Sequence, residues 1–209
     1  MKNTNLYSSW SATFEKAISD DLEKCFSIVT EHYSNSFRHY HNLKHIENLI
    51  TQIETLSLSA YDNAILINVA LFHDVIYKAV RKDNELKSAE FAAYWLSKLN
   101  MRTAELEIIC DIIRSTNTHQ SSDLLTQLFL DIDLSILGEN EENYQKYLVK
   151  IRKEHISIPN YLYKIGRKRF LKNMLSRKAI FSTYEYFETF ENQARKNLSN
   201  ELNVLKKQL

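Results

Sequence analysis

Apolar residues recur at steps of three and four along nearly the whole chain, the spacing that lets a helix bury one face. Leu6, Trp10, Phe14, Ile18 and Leu22 step by four and predict a first helix over residues 5–31. The same period predicts helices over 42–57, 60–77, 84–99, 102–116, 122–137 and 140–156. Local signals mark several ends. Ser59-x-x-Asp62 resembles a capping box at the start of the third helix. Gly138 fits the C′ position that closes the sixth. Pro159 fits the first turn of an eighth helix, and Ser182-x-x-Glu185 opens a last one that runs into the tail. No repeat, low-complexity linker or domain boundary interrupts the pattern, so the reading is one all-helical domain over residues 1–209, an all-α bundle.

Composition sharpens this. The chain has 209 residues but only two glycines and one proline, where average usage gives roughly 14 and 10. Folds rich in turns need more glycine than that. The shortage also removes whole chemistries. A dinucleotide fingerprint needs three close glycines and a P-loop two, whereas Gly138 and Gly166 stand far apart. Cys25 and Cys110 are isolated, which offers neither a zinc ribbon nor a disulfide framework and suits a reducing compartment. The first ten residues lack an apolar signal region, and the longest strongly apolar stretch, 63–72, is too short to span a bilayer. A cytoplasmic protein with no membrane partner is the expectation.

The net charge of +1 hides an asymmetry. Residues 146–178 carry 11 Lys and Arg against the single acid Glu154, while residues 1–145 carry 12 against 21 acids. Such a basic segment suits an anionic ligand, or is a solvated helical surface.

Four pieces carry candidate chemistry: His41-Asn-Leu-Lys-His45, His73-Asp74, Thr116-x-x-His119 and Asp131-Ile-Asp133. On a helix His41 and His45 share a face, where both can meet one metal, or one can bind while the other faces substrate. Surface histidine pairs show the same spacing. The helical neighbours of Asp74 include Ala70, Leu71 and Tyr77, an environment costly for a carboxylate unless it is paired or bound to a cation. The alternative is an aspartate that caps a helix end beside a buried His73 hydrogen-bonded to backbone. Asp133, flanked on a helix by Phe129, Leu130, Ile136 and Leu137, presents the same anomaly, whereas Asp131 has more polar neighbours and reads as a cap or supporting acceptor. Two imidazoles and two carboxylates suit a borderline divalent ion such as Mn, Fe, Co, Ni or Zn, with Mg a further option.

In order, His…His-Asp…Asp on successive helices resembles the HD superfamily of metal-dependent phosphohydrolases. The strings Arg38-His-Tyr-His-Asn-Leu-Lys-His-Ile46, Phe72-His-Asp-Val-Ile-Tyr77, Asn84-Glu85-x-x-Ser88-Ala89, Thr116-x-x-His119, residues 129–138 and Gly166-Arg167 are similar to one bacterial branch, whose substrates are uncharacterised. The resemblance covers about residues 37–181, as a core on which the helices over 5–31 and 183–207 pack. It implies His45, His73, Asp74 and Asp133 as metal ligands. The H-N-x-x-H motif of cyclic nucleotide phosphodiesterases, distant members of the superfamily, implies His41 as general acid beside the ligand His45, although the two roles can be exchanged in other branches. Glu85 is then a candidate to orient the attacking water. His119, Arg38 and Arg167 are candidates for binding phosphate, and each is equally readable as structural.

The expected function is hydrolysis of a phosphomonoester or phosphodiester of a small metabolite or nucleotide. The partner is a small anionic phosphorylated substrate, and a homodimer stays open. The alternatives are a nucleotide or nucleic-acid binding module using residues 146–178 and, less favoured, a di-iron oxygenase, which needs more ligands than these strings supply.

Overall fold

The helical period becomes ten α-helices and one 3₁₀ turn among residues 4–14 and 18–207, the part that the computed structural model describes. No strand occurs among these residues, so the all-α expectation holds. None of the described helices is long and apolar enough to cross a membrane. The chain divides into two compact units, 1–129 and 130–209.

The first unit contains α1 (Thr4–Ser11), α2 (Ser19–Tyr33), α3 (Leu43–Thr55), α4 (Ala60–Phe72), α5 (Asn84–Lys98), α6 (Thr103–Ser115) and most of α7 (Leu124–Leu134). Its centre is α4, where the eight residues from Ile65 to Phe72 are all buried. A helix apolar on every side must be surrounded, and α4 packs against α1, α3, α5 and α6. Its one polar core residue, Asn68, accepts from Trp10 Nε1 at 2.9 Å and donates to Thr13 Oγ1 and the Ala64 carbonyl. That satisfies a buried amide and ties α1 to α4.

Two predicted boundaries move. The helix expected over 5–31 is two helices. Thr13 Oγ1 bonds the Trp10 carbonyl and Ser11 Oγ the Ser8 carbonyl, and hydroxyls of this kind compete with the helical ladder. Ile18, an expected core position, is 66% exposed and extended, and Asp20 and Asp21 then favour a fresh start. Residues 15–17 lie outside the described part. The helix expected over 60–77 stops at Phe72, with His73 at its cap and residues 74–78 in a turn.

The second unit comprises the 3₁₀ turn Ser135–Gly138, α8 (Glu141–Glu154), α9 (Asn160–Ser176) and α10 (Tyr184–Lys207), with α10 packed on α9 and on the 3₁₀ turn. The last turn predicted for 122–137 is this 3₁₀ segment. Gly138 does not close it in a left-handed conformation. Its role is close approach, since a Cβ there would lie 2.5 Å from Phe190 Cβ and 2.7 Å from the Phe190 carbonyl oxygen. Backbone cannot swing aside as a side-chain tip can. Gly138→Ala is therefore expected to cost about 1–3 kcal/mol by overpacking, read as a lower urea midpoint at unchanged slope.

The start of α10 also differs from the expected local box. The two residues just before it are held by Asp131: the carboxylate accepts from Ser182 N at 2.9 Å, Thr183 N at 2.7 Å and Thr183 Oγ1 at 2.7 Å. Asn160 opens α9, so Pro159 stands at the cap position just before it.

A candidate metal centre

The site is built where the end of α4 and the start of α3 meet inside the first unit. Asn42 caps α3, its Oδ1 accepting from Lys44 N at 3.0 Å and His45 N at 3.4 Å. This fixes His45 in the first helical turn, 6% exposed. His41 precedes the cap, so the two histidines do not share a helix face as their spacing predicted. The turn over 38–42 still brings them together, with ring centroids 5.9 Å apart.

His73 is 1% exposed. Its Nδ1 lies 2.9 Å from the Ala70 carbonyl, and since a carbonyl can only accept, Nδ1 carries a proton. In the neutral ring Nε2 is then the basic nitrogen. Anchoring one ring nitrogen on a carbonyl is how metal-binding histidines are oriented. Nε2 faces Asp74 Oδ2 at 3.2 Å. A lone pair and a carboxylate at that distance require a proton or a cation between them.

One donor atom each from His45, His73 and Asp74 lies within 4.8 Å of the others. Two imidazole nitrogens and one carboxylate oxygen are a donor set that fits a divalent transition ion. His41 Nε2 stands 3.8 Å from Asp74 Oδ2, and these two side chains, 19% and 16% exposed, form the solvent side of the group. The Tyr77 ring packs on His41 at 4.5 Å, and Tyr40 lies 5.0 Å from both His41 and His45.

The turn that carries Asp74 keeps one backbone bond, from Val75 N to the Phe72 carbonyl at 3.2 Å, and three side chains supply further bonds. Arg38 donates through one nitrogen to the carbonyls of His41 at 3.1 Å and Asp74 at 2.7 Å, and through the other to Val75 at 2.8 Å. Ser88 Oγ accepts from Ile76 N at 3.1 Å and donates to the Ile76 carbonyl at 3.2 Å. Asn84 pairs with both backbone groups of Lys78 at 3.0 Å. Arg38, Asn84 and Ser88 are all buried, and the Arg38 guanidinium lies over Tyr33 at 4.8 Å. This is why α4 ends before Asp74. It also gives physical content to the string Asn84-Glu85-x-x-Ser88, to which sequence reasoning assigned only Glu85. Arg38→Lys replaces a planar fork with one ammonium that cannot span three carbonyls. We expect metal affinity to fall about 10–100-fold, the usual cost of lost support behind a ligand, measured by titrating metal-stripped protein.

The other expected site residues fall as follows. Arg38 is engaged as above, and a role in holding phosphate would compete with those bonds. Arg167 is buried in the second unit, donating to Glu201 at 2.8 and 3.0 Å and to the hydroxyls of Tyr144 and Tyr147. Glu85 is half-buried in the first turn of α5. His119, half-buried after α6, takes a left-handed φ of 49°.

Asp133 lies on α7 in the second unit. The burial expected of the aspartate pair is reversed: Asp131 is 1% exposed while Asp133 is half-buried. Sequence neighbours along α7 did not include the start of α10, which covers Asp131. Burial pushes the Asp131 carboxyl up and the donors of Thr183 and Ser182 pull it back. Asp131→Asn turns an oxygen that accepts three bonds into a competing donor or swaps it with its neighbour. It should lower stability by about 1–3 kcal/mol and leave metal content unchanged, by chemical denaturation and elemental analysis of one preparation.

Comparison with protein-family models and with curated proteins finds no match to this chain.

Proposed function

We propose that the protein is a metal-dependent phosphohydrolase acting on a phosphomonoester or phosphodiester of a small metabolite or nucleotide. The observation that supports it most is the convergence of His45, His73 and Asp74 donor atoms within 4.8 Å, with His41 alongside. His45, His73 and Asp74 would hold the ion. A divalent ion held there would lower the pKa of a bound water and neutralise phosphate charge. His41, on the solvent side, donates a proton to the leaving oxygen. Glu85 orients the attacking water, and His119 is the candidate phosphate contact.

A panel of phosphomonoesters and phosphodiesters tests this on protein stripped of metal and resupplied with Mn, Co, Ni or Mg. The reading expects turnover that returns only with metal. Full metal loading with no turnover of any ester would contradict it.

A nucleotide or nucleic-acid binding module is the second reading. Its support is that Lys146, Lys150, Lys153, Arg169 and Lys172 are exposed on α8 and α9. A metal-independent, salt-sensitive shift of a labelled oligonucleotide would favour it.

A further inference from the structure

We propose that the second unit docks on an anionic lipid surface through the exposed faces of α8 and α9. From residue 143 to 184 the only acid is Glu154, and it is buried. Among the exposed lysines and arginines stand Val149, Ile156, Tyr161, Leu162 and Ile165, each between 46% and 74% exposed. A single exposed apolar side chain is ordinary, whereas five stand here within 17 residues.

The spacing is helical. Val149 and Lys153 share one face of α8 with Lys146, whose Nζ pairs with Glu142 at 2.6 Å, and Ile156 follows just past the end of the helix. On α9 Tyr161, Leu162, Ile165, Arg169 and Lys172 occupy the exposed side, while Arg167, Leu171 and Met174 are buried. The loop between them is held. Arg152 donates to the carbonyls of His155 at 2.6 Å and Ile158 at 3.3 Å, and its guanidinium lies 4.7 Å over the Tyr163 ring.

The mixture selects the occupant. A second copy on the same face would set lysines against lysines across a two-fold axis, an unfavourable arrangement. Nucleic acid would use the cations but has no place for Val149, Ile156, Leu162 and Ile165. Protein interfaces are depleted in lysine. At a bilayer surface, aliphatic side chains enter the boundary between headgroups and acyl chains while lysine and arginine reach lipid phosphates. Such a contact lies on the surface and needs no spanning helix.

Flotation of the full chain with vesicles of phosphatidylcholine, alone or with about one-third phosphatidylglycerol, is the test. Binding is expected only with the anionic lipid, and to weaken between about 0.05 and 0.3 M salt. The exposed double variant Ile156→Ser/Ile165→Ser, checked for an unchanged melting temperature, should bind at least about tenfold more weakly. Absence of binding to anionic vesicles would overturn the proposal, as would unchanged binding by the double variant. Tighter binding to a duplex oligonucleotide than to vesicles would assign the surface to nucleic acid instead. A concentration-dependent dimer abolished by the double variant would assign it to a second copy.

Discussion

Alanine at His73 is expected to release the metal. The side chain is 1% exposed, fixed by Ala70 and aimed at Asp74, so no other residue can slide into its place without repacking the end of α4. Affinity should fall by more than roughly 100-fold, beyond the 10–100-fold typical of a residue that only supports a ligand. Elemental analysis of protein purified without chelator should find near-stoichiometric transition metal in the parent and almost none in the variant. The lost packing and the lost bond to Ala70 should cost about 1–3 kcal/mol, so the melt of both proteins is recorded without metal. A folded His73→Ala protein with full occupancy would remove this residue from the ligand set.

His41→Ala should behave in the opposite way. His41 precedes the cap of α3, stands 19% exposed and reaches Asp74 only at 3.8 Å. It can leave without disturbing His45, which Asn42 and the first turn of α3 hold. The variant is expected to keep its metal. If His41 is the proton donor proposed above, turnover of esters with poor leaving groups should fall about 10²–10⁴-fold. p-Nitrophenyl phosphate, whose leaving group needs little protonation, should lose far less. Equal losses on both kinds of ester would make His41 a substrate contact, and loss of metal would make it a ligand.

Much of this was legible in the chain, for identifiable reasons. Helix identity follows from periodicity, and α3, α5, α6 and α8 end within two residues of where the apolar spacing places them. His73 and Asp74 stand out because they end an apolar run, and His45 through its spacing to His41 and the family resemblance; the structure brings these three together. What the sequence could not show is decided by contacts between distant segments. Arg38, Ser88 and Asn84 end α4 early by bonding a turn up to 37 residues away, and nothing local to 73–78 signals that. Asp131 is buried by Ser182 and Thr183, 51 and 52 residues on. Thr13 and Ser11 break the first helix although the step-of-four pattern continues through them. Arg167 meets Glu201 at a separation of 34 residues.

The most direct test is a crystal structure of the protein soaked in manganese, with data collected for anomalous scattering from the metal. The account predicts a peak at about 2.0–2.2 Å from one donor atom each of His45, His73 and Asp74. Its absence at this group in crystals that take up manganese elsewhere would contradict the claim that these three residues form a metal centre.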